Sequence, residues 1–217
     1  TPQERQTLIK SLINKPFDLS QDLMLSADLL ELGEEDHLLV VTMHHIASDG
    51  WSGPLIVKEL TSFYQAYNQD QISQSEPLAI QYADYAIWQR QNIQGQLLEK
   101  KLEYWKQKLQ QAEPIELPLD YPRPAVQSIQ GAVKAFTLDS SLGKAIKQLS
   151  QNSNTSMFMT LLSAFKVLLH RYSNQQDITV GTPIAGRQQM ETEPLIGFFV
   201  NTLALRSELK ADQSFQE

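Results

Sequence analysis

Apolar residues recur at helical spacing along most of the chain, and several shorter runs are continuously apolar, as buried strands are. The pattern predicts helices over residues 2–13, 51–67, 82–91, 96–109, 140–150 and 156–172. It predicts strands over residues 23–32, 37–44, 132–138, 178–183 and 198–209. The first two strands are separated by the turn-forming run Gly33–Asp36, which favours an antiparallel hairpin. Interleaved helices and strands with a hairpin in the first half predict an α/β fold with mixed, largely antiparallel sheets.

A proline-rich segment interrupts these patterns near the middle of the chain. Four prolines lie between residues 114 and 124, which excludes a regular helix and favours an extended connector. We therefore predict part of a first lobe over residues 1–117, an interlobe linker over 118–130 and part of a second lobe over 131–217. The chain starts at Thr1 rather than Met and stops at Glu217, soon after a predicted strand. We expect it to be a fragment of a longer protein.

Composition narrows the classes of function. The 217 residues are 41% hydrophobic and 20% charged, which is ordinary for a globular chain. The net charge of −7 and the lack of a basic block disfavour nucleic acid and anionic membrane surfaces as partners. No apolar stretch approaches the roughly 20 residues of a membrane-spanning helix. The absence of cysteine excludes thiolate chemistry and fits a reducing, cytoplasmic location.

The densest group of chemically active side chains lies in residues 40–52, where an apolar strand ends in His44 and His45. Neighbouring side chains on a strand point to opposite faces, so only one of the two imidazoles can face a given cavity. Asp49 and Gly50 suit a turn that contains a positive φ, and Ser52 suits the N-cap of the following helix.

The residues alone leave three interpretations of this histidine pair. The imidazoles are structural groups at a strand end, metal ligands, or groups that act directly on a substrate as base or positioner. Metal binding is disfavoured because adjacent histidines diverge and no third ligand lies at a useful spacing. A Ser-His-Asp triad is disfavoured because the sequence has no G-x-S-x-G nucleophile elbow.

The segment His44–Gly50 resembles the HHxxxDG motif of the condensation domains of nonribosomal peptide synthetases. Chloramphenicol acetyltransferase-like and wax ester synthase-like acyltransferases share that motif, so the specificity comes from later segments. Residues 82–90 resemble YxDYAxWQR, residues 117–124 the interlobe linker, residues 176–181 the QDxxVG strand and residues 196–206 IGxFVNTLxLR. These motifs follow the family's order over nearly the whole chain.

The resemblance implies a chloramphenicol acetyltransferase-like fold of two lobes, with the active site in a tunnel between them. This chain is expected to be only part of that fold. The implied reaction is amide bond formation between a carrier-bound acyl or peptidyl thioester donor and the α-amine of a carrier-bound aminoacyl acceptor. The implied partners are donor and acceptor peptidyl carrier domains, which hold the substrates on phosphopantetheine, and an adjacent adenylation domain. No cofactor or metal is expected to bind the chain directly.

The resemblance also assigns roles to individual residues. His45 is the expected catalytic histidine, with His44 in support. Gly50 is expected to keep the turn open and to bring its backbone N–H near the reacting carbonyl. Asn201 is a candidate tunnel-lining residue, or else a polar residue on a strand edge. Tyr85 and Trp88, three residues apart on a predicted helix, are interpreted as packing residues.

Asp49 is expected to be a structural carboxylate that pairs with an arginine and holds the loop, rather than a catalytic acid. We expect that arginine to lie outside the chain, with Arg187 and Arg206 as the alternatives within it.

The form of the motif, with Met43 before it and Trp51-Ser52 after it, resembles condensation domains that join two L-residues. Two other functions remain open. One is a free-standing HHxxxDG acyltransferase, which would lack neighbouring carrier and adenylation domains. The other is a non-catalytic, condensation-like docking scaffold or truncated remnant.

Overall fold

The computed structural model describes residues 2–72, 76–128, 131–210 and 212–216. The helices are α1 (Pro2–Ile13), α2 (Ser52–Asn68), α3 (Tyr82–Asn92), α4 (Gly95–Lys108), α5 (Ser140–Asn152) and α6 (Met157–Ser173). The strands are β1 (Leu25–Glu31), β2 (His37–Met43), β3 (Asp177–Ile184) and β4 (Asn201–Glu208), and a 3-10 turn covers Met190–Thr192. The predicted helices are confirmed with bounds close to those expected. No helix in the described part of the chain is long and apolar enough to cross a membrane.

One predicted strand is wrong. Residues 132–138 have strand-like composition, but they are exposed and form no regular secondary structure. Val133 and Phe136 both extend into solvent. A strand depends on hydrogen bonds to a neighbouring strand, and none of the described strands pairs with this segment.

The predicted hairpin is confirmed and leads directly into the histidine pair. Strands β1 and β2 are antiparallel, with Leu25 opposite Met43 and Glu31 opposite His37. The turn is closed by the Leu32 N–H, which donates to the Asp36 carbonyl at 2.8 Å. At the end of the hairpin away from this turn, the His44 N–H donates to the Met24 carbonyl at 3.0 Å. Hydrogen bonding between the two strands therefore continues up to the first residue of the histidine motif.

The chain forms two compact units, each made of two segments. The first unit contains residues 1–99 and 183–202, and the second contains residues 100–182 and 203–217. The predicted lobe boundary after residue 117 lies inside the second unit, and the lobe division stays a prediction. Residues 129 and 130 of the predicted linker lie outside the described residues.

In the second unit, helices α5 and α6 are joined through buried hydroxyl groups. Ser150 Oγ and Thr160 Oγ1 lie 2.8 Å apart, and both residues are buried. The carboxylate of Asp139 caps α5 by accepting the N–H groups of Ser141 and Leu142 at 2.9 Å. Ile178 on β3 is fully buried.

The interior of the first unit is largely polar. Leu195 and Phe199 are its most deeply buried apolar side chains. Around them lie buried polar residues that are distant in sequence, namely Ser48, Asp49, Ser52 and Thr192. Buried polar groups require hydrogen-bond partners, so the partners of these residues determine how the segments of this unit are held together.

Candidate active site

The histidine motif forms a tight loop between β2 and α2 in the first unit. The strand ends at Met43. The chain then turns, and the Ala47 N–H donates to the His44 carbonyl at 3.1 Å. Helix α2 starts at Ser52 itself, so the prediction that Ser52 is its N-cap is wrong. Instead Asp49 Oδ1 accepts the N–H groups of Trp51 and Ser52, each at 3.1 Å. Asp49 therefore joins the loop to the first turn of the helix.

His44 and His45 differ in the nitrogen that each uses for its local hydrogen bond. His45 Nδ1 lies 2.6 Å from the Ser48 carbonyl oxygen, which can only accept, so Nδ1 carries the proton. His44 Nδ1 accepts the Ile46 N–H at 3.0 Å, so this nitrogen carries no proton. In the neutral state His45 thus presents an Nε2 lone pair, whereas His44 presents an Nε2–H donor.

The two imidazoles also have different neighbours. The ring of His44 makes an edge-on contact with Phe17, at a centroid distance of 5.9 Å. The ring of His45 makes an edge-on contact with Phe198, at 5.2 Å. The side chain of His45 is exposed, whereas that of His44 is half-buried. Of the two, His45 has the accessible basic nitrogen.

Asp49 is buried and forms an ion pair with Arg187, so the expectation that its arginine lies outside the chain is wrong. Arg187 Nη2 lies 3.1 Å from Asp49 Oδ1, and the two side chains are only 1% and 3% exposed. The guanidinium also donates from Nη1 to the carbonyls of Thr192 at 2.5 Å and Leu195 at 2.7 Å. Its Cζ atom lies over the ring of Phe199, 4.1 Å from the ring centroid.

Burial alone would raise the pKa of Asp49. Hydrogen bonds from the Phe199 N–H, Ser52 and Arg187 oppose this effect, and the pKa of Asp49 lies below its ordinary value. Asp49 is therefore an anion at neutral pH and cannot supply a proton to a reaction. This geometry agrees with its expected structural role.

Ser52 connects the motif loop to the segment around residue 197. The side chain is fully buried, and its hydroxyl oxygen lies 3.0 Å from Asp49 Oδ1 and 3.1 Å from the Gly197 carbonyl. The Gly197 N–H donates to the same oxygen at 3.1 Å. The next contact along the segment is the Phe199 N–H, which donates to Asp49 Oδ2 at 3.0 Å. Residues 197–199 are thus fixed to the motif by backbone hydrogen bonds.

The helix that carries the second sequence motif holds this segment from another direction. Tyr82 on α3 donates its hydroxyl to the Phe198 carbonyl at 2.7 Å. Asp84 accepts the Gln81 N–H at 2.8 Å and so stabilises the start of α3. Tyr85 and Trp88 stack on each other, and Tyr85 also contacts Phe199, as a packing residue would. Trp88 is 42% exposed, so its packing role stays a prediction.

Glycine is required at positions that differ from the one we expected. Gly50 does not have a positive φ, and a Cβ atom there would meet nothing within 4 Å, so the predicted reason for this glycine is wrong. Gly186, next to Arg187, has a φ of +70°, and a Cβ there would overlap the Phe199 carbonyl. A Cβ on Gly197 would overlap the ring of Tyr82.

The remaining candidates lie apart from this network. Arg206, the other proposed partner of Asp49, pairs instead with Asp177 in the second unit, at 2.6 Å. Asn201 is exposed at the start of β4, and its Oδ1 accepts the Thr202 N–H at 2.8 Å. Among the described residues, no group of three or more His, Asp or Glu side chains is placed to hold a metal ion.

Sequence reasoning missed Ser52 as a bridge, Gly186 and Gly197 as sites of close approach, and Phe198 as a neighbour of His45. The sequence did offer one signal for these residues. Gly197 and Phe198 lie within the motif at residues 196–206, and Gly186 lies between that motif and the one at residues 176–181. Apart from the approach of Gly186 to Phe199, 13 positions later, these contacts join residues more than 100 positions apart, and no local pattern shows such pairings.

The family model described as Condensation domain matches residues 1–217. A linear gramicidin synthase of Brevibacillus parabrevis is 47% identical over 203 residues, which cover 93% of this chain but 4% of that protein. The X-domain in its complex with OxyB, from teicoplanin biosynthesis, has a TM-score of 0.90 at 28% identity, over 98% of this chain and 48% of that one. A four-domain nonribosomal peptide synthetase bound to AMP and glycine has a TM-score of 0.85 at 29% identity, over 98% and 16%.

These similarities confirm the predicted fold class and the resemblance noted in the sequence. The chain spans about half of the X-domain chain and much smaller parts of the two multidomain proteins.

We expect Asp49→Asn to lower the free energy of unfolding at pH 7 by about 3–5 kcal/mol, because Arg187 is left buried without a counter-charge. The folded pKa of Asp49 lies below its unfolded pKa of about 3.9. The stabilisation is therefore complete above that value and is lost as the pH falls through the folded pKa. Urea denaturation at several pH values should show the difference between wild type and variant shrinking towards acid pH.

Asp177→Asn is the matched control for this measurement. Asp177 and Arg206 form the same type of ion pair, but their side chains are 35% and 23% exposed. We expect this variant to lose no more than about 1 kcal/mol. An equal loss from both variants, or a difference for Asp49→Asn that does not change with pH, would contradict the importance assigned to burial.

We expect Gly186→Ala to lower the free energy of unfolding by about 2–4 kcal/mol, because alanine disfavours the positive φ and its Cβ overlaps the Phe199 carbonyl. Gly50→Ala should change stability by less than about 1 kcal/mol, since that site has ordinary backbone angles and open space. Thermal denaturation of both variants makes the comparison. A larger loss at Gly50 than at Gly186 would reverse our assignment.

Proposed function

The chain belongs to the condensation-domain family, and we propose that the domain containing it forms amide bonds in nonribosomal peptide synthesis, with His45 as the catalytic residue. The observation that carries the proposal is the hydrogen bonding and exposure of the His45 imidazole. Its Nδ1–H is bound to the Ser48 carbonyl, its ring is exposed, and none of the described residues donates a hydrogen bond to its Nε2. A base that removes a proton from an incoming amine needs an accessible lone pair, and the bond at Nδ1 fixes the tautomer that places this lone pair on Nε2.

In the proposed reaction the acceptor α-amine nitrogen attacks the carbonyl carbon of the donor thioester. The C–N bond forms as the carbonyl becomes a tetrahedral oxyanion, and the amine proton passes to His45 Nε2. Collapse of this intermediate breaks the C–S bond. The departing thiolate takes up this proton from His45, so the base is regenerated and the products are one amide and one free thiol.

The pKa of the amine and the usual size of general-base catalysis limit how much rate enhancement we expect from His45. An α-amine has a pKa of about 7.7–8.0, so a useful fraction is already neutral at pH 7. General-base catalysis contributes about 10²–10⁴ in rate, whereas fixing two reactants together corresponds to effective molarities of about 10⁵ M or more. Positioning the two tethered substrates therefore provides more of the rate enhancement than proton transfer does.

The partners we propose follow from this reaction. Donor and acceptor carrier domains present their substrates on phosphopantetheine, and an adenylation domain adjoins the condensation domain. Two of the relatives support this arrangement, since one is a linear gramicidin synthase and the other a four-domain nonribosomal peptide synthetase. The cysteine-free sequence supports a cytoplasmic location. Asn201 remains our candidate for a residue that lines the tunnel, and Gly50 for one that faces the reacting carbonyl.

We expect His45→Ala to reduce the rate of amide formation by about 10²–10⁴ without abolishing it, because substrate positioning survives the loss of the base. The assay uses the condensation domain that contains the chain, with a loaded donor carrier and a loaded acceptor carrier, and follows the dipeptidyl thioester by mass spectrometry.

His37→Ala is the control, since this exposed histidine lies at the start of β2, at the opposite end of the strand from the motif. It should retain the wild-type rate. A His45→Ala rate within twofold of wild type would remove the base role from His45.

We also propose that the domain joins two L-residues, as the residues flanking the motif suggest. Donor carriers loaded with L- and D-aminoacyl groups provide the test, with one L-aminoacyl acceptor in both reactions. The L-donor should react at least about tenfold faster, which corresponds to about 1.4 kcal/mol of discrimination. A preference for the D-donor would overturn the assignment to the L-to-L type.

A docking scaffold is the second candidate function, and the likeness to the X-domain favours it. That protein was solved in complex with OxyB, and its fold matches the chain at a TM-score of 0.90. The carrier assay separates the two functions. A wild-type domain that binds loaded carriers but forms no amide would support docking instead of catalysis.

A further inference from the structure

We propose that Phe198 is a positioning residue for His45, and that its ring holds the imidazole in the orientation which directs Nε2 towards the acceptor amine. This inference rests on the proposed function of His45 and extends it to a residue outside the histidine motif. Phe198 occupies the variable position in the segment that resembles IGxFVNTLxLR, so the motif itself does not identify it.

A single hydrogen bond does not fix the plane of an imidazole. The Ser48 carbonyl holds His45 at Nδ1, and the ring can still rotate about that contact. Phe198 supplies a second contact, with the two rings nearly perpendicular at 78° and their centroids 5.2 Å apart. A hydrogen bond at Nδ1 and an edge-on contact with a second ring together restrict the orientation of the imidazole.

The backbone that carries Phe198 is itself held in place. The N–H of the residue before it donates to the Ser52 hydroxyl oxygen, and the N–H of the residue after it donates to Asp49. The carbonyl of Phe198 accepts the Tyr82 hydroxyl at 2.7 Å. A phenyl ring projected from a backbone with three such anchors can act as a fixed support for a neighbouring side chain.

Core packing does not account for this side chain. Phe199 contacts Arg187, Tyr82 and Tyr85 and is 4% exposed, as expected of a core residue. Phe198 is 40% exposed, and its ring faces His45 rather than that core. Both residues lie in the same anchored segment, so the difference is in what their side chains contact.

The test compares Phe198→Leu with Phe198→Tyr in the condensation domain that contains the chain. Leucine removes the aromatic contact, and we expect it to lower kcat roughly tenfold with little change in KM, since the base is misdirected while substrate binding is kept. Tyrosine retains the ring and should restore kcat to near the wild-type value. Phe158→Leu, at an exposed phenylalanine on α6, is the matched control and should leave kcat unchanged.

A double-mutant cycle shows whether Phe198 acts through His45. In the His45→Ala background, Phe198→Leu should cause no further loss, because no imidazole remains to be positioned. The same fold loss in both backgrounds would overturn the proposal, since it would indicate a general structural role. A rise in KM with unchanged kcat would also overturn it, since Phe198 would then be a substrate contact.

A spectroscopic readout separates this inference from the proposed function. In a domain with ¹⁵N-labelled histidine, the His45 signals are those that disappear in His45→Ala. Phe198→Leu should leave these signals in the Nδ1–H tautomer, which the Ser48 carbonyl still fixes, but should broaden the Nε2 signal because the ring takes several orientations, even if His45 proves to have no role in catalysis. Unchanged His45 signals in Phe198→Leu would overturn the positioning role directly.

Discussion

The ion pair between Asp49 and Arg187 is the interaction on which the arrangement of the first unit depends. Two charges removed from water cost several kcal/mol each unless their geometry and hydrogen bonds compensate. Here the carboxylate receives backbone N–H groups from Trp51, Ser52 and Phe199, and the guanidinium donates to two carbonyls. These bonds bring together the start of α2, residues 192–195 and the segment around Phe199. Because the pair is buried, the segments that meet at it have few alternative arrangements with satisfied charges.

The same network explains how a short loop can present one imidazole with a defined protonation pattern. Asp49 secures the end of the loop, and Ser48, one residue earlier, provides the carbonyl that fixes His45 Nδ1. Neither residue has to contact a substrate for this effect. The arrangement also separates the two adjacent histidines by their hydrogen bonds, so that the motif offers an acceptor at His45 and a donor at His44.

Local order was predictable from the sequence, whereas long-range pairing was not. The hairpin and the amphipathic helices follow from periodicity and turn residues, which are properties of short segments. The strand expected at residues 132–138 failed because a strand also needs a partner, and composition does not provide one. Arg187 was considered only as an alternative, because it lies 138 positions from Asp49 and charge alone gives no reason to prefer it over Arg206. The sequence predicted a required glycine at Gly50, in the motif. The structure instead requires glycine at position 186, where φ is positive and a Cβ would overlap the Phe199 carbonyl.

The energetics of the proposed reaction explain why His45 would need to be held in a fixed position. An acceptor amine that is partly neutral at pH 7 gains little from a stronger base, but it gains from a base located where its proton is released. The position of the Nε2 lone pair is therefore more valuable than its basicity. A loop fixed by a buried ion pair, a carbonyl at Nδ1 and a phenyl ring beside the imidazole all serve that position. The polar interior of the first unit is consistent with this role, because hydrogen bonds and charges specify direction and distance more strictly than apolar contacts do.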